Sequence, residues 1–154
     1  MDHIDTIITK SAQETKNVGQ KLATAVNESI VLDSKGASIF CLYGELGSGK
    51  TTFVQGFSQG LDIPSRLLSP TFIIVRRYHI SGKISFLYHI DLYRMKNVLD
   101  LESLGLAEIF SDPSAIVLIE WAERLESLLP KKRTDIYFSV ISEEEREIEI
   151  IKHL

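Results

Sequence analysis

A glycine-rich segment in the first third of the chain has the residue types of a phosphate-binding loop. It reads GELGSGKT from Gly44 to Thr51 and directly follows apolar residues at positions 39, 40, 42 and 43. Glycines let a loop turn successive backbone N–H groups inward around an anion, and a helix that starts there adds the positive end of its dipole. G-x-x-x-x-G-K-[ST] between a strand and a helix is the P-loop pattern. The segment is therefore predicted to bind phosphate.

Lys50 and Thr51 close this loop and have separate predicted roles. Lys50 would place a positive charge at the β- and γ-phosphates of a nucleotide, and the Thr51 hydroxyl would be a ligand of Mg²⁺. The other predicted binding residues of the loop and the following helical turn are Gly44, Glu45, Leu46, Gly47, Ser48, Gly49 and Thr52.

Two acidic residues follow apolar runs and are candidates for the carboxylate that a P-loop needs beside its magnesium ion. Glu120 ends the run IVLI at 116–119, where an unpaired charge would be costly to bury. Asp91 ends the run at 86–90, but Arg94 nearby offers a salt-bridge partner as an alternative explanation. From the residues alone Glu120 is the stronger candidate, and the role of Asp91 stays open.

The elements that must position these residues are those of an α/β protein. A capping box at Ser11 and Glu14 and apolar residues at helical spacing predict a helix over 11–28. The other predicted elements are a strand at 38–43, a helix over 51–60, strands at 71–80 and 83–90 around a Ser81-Gly82 turn, a helix over 98–110 with a possible break at Gly105, a strand at 115–119, a helix over 122–129, and an antiparallel pair at 135–141 and 147–151. Together they predict a P-loop NTPase-like three-layer α/β fold, with a mixed, mostly parallel sheet and antiparallel hairpin additions.

Composition limits the class of protein. A length of 154 residues predicts a single domain over 1–154, which would contain the P-loop. The net charge of −4 argues against a general nucleic-acid binder. The single cysteine, Cys41, excludes an internal disulfide, fits a reducing compartment and is predicted to be buried. No apolar run approaches the roughly 18 residues of a membrane span, and the N-terminus lacks the pattern of a secretory signal. A cytoplasmic protein without a membrane partner is expected.

Missing motifs argue against three large P-loop classes. The sequence has no N-K-x-D motif of a GTPase after its later strands and no LSGGQ-like stretch of an ABC-type ATPase. The region from Leu99 to Asp112 has no arginine, unlike the lid of a small-molecule kinase. His79 and His89 lack companions at a zinc-like spacing. The SEEER segment at 142–146 is interpreted as a charged hairpin tip without a further role.

Four motifs in order resemble the bacterial TsaE/YjeE family, the ATPase component of tRNA N6-threonylcarbamoyladenosine biosynthesis. They are GELGSGKTTF from Gly44, SPTF from Ser69, YHIDLYR from Tyr88 and IEWAERL from Ile119. The N-terminal SAQET and the C-terminal hairpin are also similar, so the resemblance covers nearly the whole chain. The combination of four motifs is specific, whereas any one of them alone is not.

The resemblance implies ATP and Mg²⁺ as cofactors and catalytic roles for Lys50, Asp91 and Glu120. Thr51 and Glu120 would be ligands of the magnesium ion. Asp91 matches a residue of the family's active centre, where it would either hold magnesium through water or orient the attacking water.

The resemblance also extends the predicted nucleotide-binding set beyond the loop. Thr71 belongs to a switch-like segment, SPT, near the γ-phosphate. Trp121 matches a residue close to nucleotide and partner, with a core or rim aromatic as the alternative. Ser11 and Thr15 align with a segment near the base, and helix capping is an equal alternative for them.

By the same resemblance, the partners are the transferase TsaD and its paralogue TsaB, which modify adenosine 37 of tRNAs reading ANN codons. ATP hydrolysis would reset that pair between turnovers, slowly by the protein alone and faster in the complex, with tRNA contacted indirectly or weakly. Two alternatives stay open: a nucleotide-gated binding module, and a small-molecule kinase with Asp91 as its base.

Overall fold

The structure is a computed structural model that describes residues 3–29, 36–64, 74–80, 84–95 and 104–153. Within these ranges the strands are β1 (His3–Thr9), β2 (Ser38–Tyr43), β3 (Val75–His79), β4 (Phe86–Asp91), β5 (Ala115–Glu120), β6 (Arg133–Val140) and β7 (Arg146–His153). The helices are α1 (Ala12–Ser29), α2 (Lys50–Gly60), α3 (Leu106–Phe110) and a 3₁₀ helix, Ala122–Leu128. In this part of the chain no helix combines the length and the apolar character needed to cross a bilayer.

The strands form one sheet in the order β1-β7-β6-β2-β5-β4-β3. In its centre, β2 pairs in parallel with β5 and β6, and β4 pairs in parallel with β5. The outer pairs β1–β7, β6–β7 and β3–β4 are antiparallel. The predicted P-loop NTPase-like α/β fold with antiparallel additions is confirmed. Because parallel strands end at the same sheet edge, the residues that follow β2, β4 and β5 meet there.

Helices cover both faces of the central strands. On the first face, Phe53 and Phe57 of α2 pack on Phe40 and Phe138, with ring centroids 5.5 Å apart for Phe40–Phe57 and 5.3 Å for Phe53–Phe138. On the second face, α3 and the 3₁₀ helix cover β5 and β4. Ala115–Ile119 of β5 are fully buried, which explains why this strand is a continuous apolar run.

The first-face helices α1 and α2 touch backbone to backbone. A Cβ added to Gly19 would lie 2.3 Å from the Phe53 carbonyl oxygen, and one added to Gly56 would lie 1.9 Å from that of Lys16. Only glycine fits at these two positions, since real Cβ atoms do not approach backbone so closely. This contact fixes α2, whose first residues are Lys50 and Thr51.

The predicted and observed elements differ in three places. Strand β1 was not predicted, because HIDTIIT mixes polar and apolar residues on both faces. Over 104–110 the predicted helix is present only as α3, which begins after Gly105 with a φ of 70°. The helix predicted over 122–129 is instead a 3₁₀ helix with a kink at Glu126, whose φ is 49°. The predicted SPTF segment and the Ser81-Gly82 turn lie outside the described residues.

Candidate nucleotide-binding site

The loop from Gly44 to Gly49 requires its glycines for conformational reasons. Gly44, Gly47 and Gly49 have φ values of 151°, 79° and 107°, a region that side chains strongly disfavour. At Gly44 there is also no space, because a Cβ would lie 2.6 Å from Ser48 Oγ and 2.9 Å from the Phe138 carbonyl oxygen. The glycine spacing of the sequence is therefore what this backbone path demands.

Two polar side chains of the loop are buried, and one of them lacks a hydrogen-bond partner in the part of the chain that the structure describes. Ser48 is 1% exposed and Lys50 is 7% exposed. Within the described residues, the Ser48 hydroxyl has no hydrogen-bond partner. A buried hydroxyl without a partner costs free energy, and the largely buried charge of Lys50 favours an anion in the loop. The loop chemistry thus fits a phosphate group.

Lys50 rests on an aromatic side chain. Its ammonium lies 4.8 Å from the centroid of the Trp121 ring. The Arg124 guanidinium lies 5.5 Å from the same ring and donates to the Met95 carbonyl. Tyr93 packs on Trp121 at a centroid distance of 5.1 Å. Trp121 therefore belongs to the site as well as to the edge of the core, and a phosphate would compete with its ring for the Lys50 charge.

The two candidate carboxylates stand side by side at the sheet edge. Asp91 and Glu120 are paired in register at the ends of β4 and β5. Glu120 Oε2 lies 2.8 Å from His89 Nε2, and Asp91 Oδ1 accepts the Tyr93 backbone N–H at 3.0 Å. Carboxylate and hydroxyl oxygens are the ligands that Mg²⁺ prefers. Thr51 lines the same cavity as Asp91 and Glu120, so the three residues of the predicted magnesium-binding set share one cavity.

One cavity of about 560 Å³ joins these groups, a volume typical of small-molecule sites. Ten predicted residues line it: Thr15, Leu46, Gly47, Gly49, Lys50, Thr51, Thr52, Asp91, Glu120 and Trp121. The predicted Ser11, Gly44, Glu45 and Ser48 do not contribute to its wall. Thr71 lies outside the described residues.

The start of α1 shows the capping alternative for Ser11 and places Thr15 at the cavity. Ser11 Oγ accepts the Glu14 N–H at 3.1 Å, and Glu14 Oε1 accepts the Lys10 N–H at 3.1 Å. This is the predicted capping box. Thr15 is buried with its hydroxyl 2.7 Å from that of Thr9, and it lines the cavity. Ser11 caps the helix, and Thr15 forms part of the site wall.

Sequence reasoning missed several residues of the cavity wall. His89 was discounted as a zinc ligand, yet the two-residue period of a strand places it on the same face as Asp91. The alternation of side chains along the strand could therefore have predicted that His89 belongs to the site. Arg146 was assigned to a charged tip, but its Nη2 donates to the Gly47 carbonyl at 3.0 Å. No local signal connects an arginine after three glutamates with a loop near the start of the chain. The further unpredicted lining residues are Ala12, Val54, Gln55, Arg76, Tyr93, Glu143 and Glu144.

Fold and site together define a P-loop NTPase-like protein. The loop follows a central parallel strand, a lysine and a threonine begin the next helix, and two acidic residues end the neighbouring strands. Residues 9–148 match the family described as threonylcarbamoyl adenosine biosynthesis protein TsaE. The chain belongs to this family, which places it in tRNA threonylcarbamoyladenosine biosynthesis.

Individual relatives agree with this assignment. The chain is 39% identical over 140 residues to the tRNA threonylcarbamoyladenosine biosynthesis protein TsaE of Bacillus subtilis, covering 91% of this chain and 80% of the relative. It is 34% identical over 143 residues to TsaE of Treponema pallidum, covering 93% and 97% of the two chains. It also superimposes on a crystal structure of Bacillus subtilis YdiB with a TM-score of 0.76 and 32% identity, covering 100% of this chain and 88% of YdiB. The resemblance carried by the four ordered motifs is confirmed.

Proposed function

We propose that the protein is a magnesium-dependent ATPase that acts on the TsaD–TsaB transferase pair and resets it between turnovers on adenosine 37 of tRNAs reading ANN codons. The observation that carries the proposal is the convergence of the phosphate loop, Thr51, Asp91 and Glu120 on one cavity. The net charge of −4 supports a protein partner, with tRNA contacted indirectly or weakly.

The site residues would have different roles in phosphoryl transfer to water. The loop N–H groups and Lys50 would neutralise the phosphate oxygens. Thr51 and Glu120 would hold Mg²⁺, which supplies charge neutralisation at the transferred group. Asp91 is exposed and lies beside Glu120, a position suited to orienting the attacking water or a magnesium-bound water.

We expect slow hydrolysis by the protein alone, because two nearby arginines are already engaged. Arg124 is held by Trp121 and the Met95 carbonyl, and Arg146 is held by the Gly47 carbonyl. Neither is available to move onto a γ-phosphate without losing these contacts. A partner that adds a positive charge or orders the site would raise the rate, as arginine fingers supplied in trans do.

The direct test is ATP hydrolysis by the purified protein, alone and with the TsaD–TsaB pair. Glu120→Ala should abolish turnover, whereas Glu123→Ala should not, because Glu123 is exposed and does not line the cavity. We expect slow turnover alone and a marked increase with the pair. Equal turnover in both conditions would contradict partner stimulation. If Glu120→Ala and a non-hydrolysable ATP analogue both supported full modification activity, the protein would be a nucleotide-gated binding module.

A further inference from the structure

Arg146 connects the β6–β7 hairpin to the phosphate loop through a single side chain. Its Nη2 donates to the Gly47 carbonyl at 3.0 Å, across 99 positions of sequence. Its Nη1 faces three carbonyls of the hairpin, those of Ser142 at 2.9 Å, Glu143 at 3.2 Å and Glu145 at 2.9 Å. The guanidinium is therefore fixed on the hairpin side and presents one donor to the loop.

The loop needs such a contact because its apex is not held by packing. A Cβ built on Gly47 meets nothing within 4 Å, although the φ of this residue is 79°. The neighbouring Leu46 is 80% exposed. Glycine is the residue with the most backbone freedom, so an unpacked glycine apex has many accessible conformations unless hydrogen bonds restrict it.

Two hydrogen bonds fix the peptide group between Gly47 and Ser48 at both ends. Its oxygen is bound by Arg146, and its N–H donates to the Glu45 carbonyl at 3.1 Å. A peptide group is planar, so holding its C=O and its N–H prevents the group from rotating about the chain. The direction of the following N–H groups, which would bind phosphate, is set by this fixed plane.

The chemistry of arginine suits this role, and lysine would not replace it. The guanidinium carries five N–H donors in a rigid planar fork, whereas the lysine ammonium is a compact point charge. Here the fork reaches the hairpin with one terminal nitrogen and the loop with the other. The aliphatic stem passes the loop as well, with Cγ 3.7 Å from the position of a Cβ on Gly49.

We propose that Arg146 is a positioning residue that pre-organises the phosphate loop for its ligand by fixing the Gly47–Ser48 peptide group. The inference rests on the proposed function in one respect, namely that the loop binds a nucleotide. Pre-organisation increases affinity by removing the cost of ordering the loop on binding. Losing a hydrogen bond to a charged donor should raise the Kd for ADP about tenfold or more.

The first measurement is amide hydrogen exchange of residues 44–50 in the nucleotide-free protein. We expect faster exchange in Arg146→Ala and Arg146→Lys than in the wild type. Arg77→Ala is the matched control, because Arg77 stacks on the Phe86 ring at 4.9 Å and does not line the cavity. If Arg146→Ala does not fold, Arg146→Gln takes its place. Unchanged exchange in the folded variants would overturn the proposal.

The second measurement is ADP binding by calorimetry to the same variants. Loss of affinity in both Arg146→Ala and Arg146→Lys supports the proposal that the planar guanidinium positions the loop. Full affinity in Arg146→Lys would overturn it, because charge alone would then suffice. Failure of the wild type to bind any nucleotide would remove the proposed function, while the exchange result would still decide whether Arg146 fixes the loop.

Discussion

The carboxylates of Asp91 and Glu120 occupy equivalent strand positions but are held differently. The Glu120 side chain is 13% exposed and hydrogen-bonded to His89. Asp91 is exposed, and its described contact is the backbone N–H of Tyr93. A carboxylate held in one position is suited to coordinate a metal ion directly. A solvated carboxylate is suited to act through a water molecule that it orients. The structure thus favours unequal roles for two residues that the sequence presents in the same way.

Under the proposed function, in which Glu120 is a ligand of Mg²⁺, His89 should control the affinity of Glu120 for the ion. Removing the imidazole in His89→Ala leaves the carboxylate without its described partner, and losing such an orienting contact costs roughly 10–100-fold in metal affinity or activity. We therefore expect the Mg²⁺ concentration for half-maximal ATP hydrolysis to rise by about that factor. The measurement is a magnesium titration of the partner-stimulated rate.

His79→Ala is the control for this titration. His79 packs on Phe86 at a centroid distance of 4.9 Å and does not line the cavity. Its removal should leave the magnesium dependence unchanged. Identical titration curves for His89→Ala and the wild type would show that His89 does not orient Glu120.

At the scale of elements, the contact between α1 and α2 sets the position of the lysine and threonine that begin α2. Gly56→Ala should lower the free energy of unfolding by roughly 1–3 kcal/mol or more, because the new Cβ would meet the Lys16 carbonyl oxygen at 1.9 Å. Urea denaturation measures the change. Gln59→Ala on the same helix is the control, with an expected change within about 0.5 kcal/mol. A comparable small change for Gly56→Ala would mean that the two helices separate at little cost.

Elements whose signals are local could be predicted from the sequence. Strand β2 was predicted with its observed bounds, and α2 begins one residue before the predicted start. The glycine loop, its lysine and its threonine were found because phosphate binding demands those residue types at fixed spacing. The acidic residues that end β4 and β5 could be singled out because a charge after a buried run requires an explanation.

Elements and contacts that depend on distant partners could not be predicted. Strand β1 is stable because β7 pairs with it, not because its own pattern favours a strand. The kink at Glu126 is a tertiary feature, since the local sequence has ordinary helical propensity. Arg146 reaches its loop only because β6 and β7 bring it there, and nothing in the spacing of SEEER encodes that approach.

Across the whole molecule, a polar cluster ties the strands together on the second sheet face. Asp135 is 1% exposed. Its carboxylate accepts from Arg133 Nε at 2.9 Å and from the Tyr43 hydroxyl at 3.2 Å, and lies 2.7 Å from His153 Nε2. These contacts join β2, β6 and β7. A buried carboxylate with three partners satisfies the rule that charges leave water only when paired.

Cys41 lies close enough to Asp135 to be affected by its charge. Ionisation of this thiol should make the free energy of unfolding fall as the pH becomes alkaline. Burial, and then the Asp135 charge, raise the pKa of the Cys41 thiol to about 12. The unfolded thiol ionises at about pH 8.5, so the unfolded state loses its proton first as pH rises. Below that pH the protonated thiol makes its full contribution to the free energy of unfolding. As the pH rises further, this contribution is lost progressively until the pH reaches the pKa of the thiol in the folded protein.

The test compares unfolding free energies of the wild type and Cys41→Ala between about pH 7 and about pH 10. The wild type should lose stability more steeply than the variant, although the variant starts lower because of its cavity. Burial is also the largest cause that raises the pKa of Tyr43, and it remains in the variant, whereas the smaller contribution of the Cys41 charge is lost with the thiol. Parallel curves would contradict a buried, protonated thiol, as would rapid reaction of native Cys41 with a thiol reagent.

The order of the strands has a consequence for biosynthesis. Strand β1 is synthesised before the other described strands, yet its neighbour in the sheet is β7, the last strand described. The parallel centre of β2, β4 and β5 can assemble earlier, because its members are all made before β6. Arg146 is the first residue of β7. A nascent chain that stops short of this residue therefore lacks both the sheet partner of β1 and the Arg146 contact to the Gly47 carbonyl, and the synthesis of β7 supplies the two together.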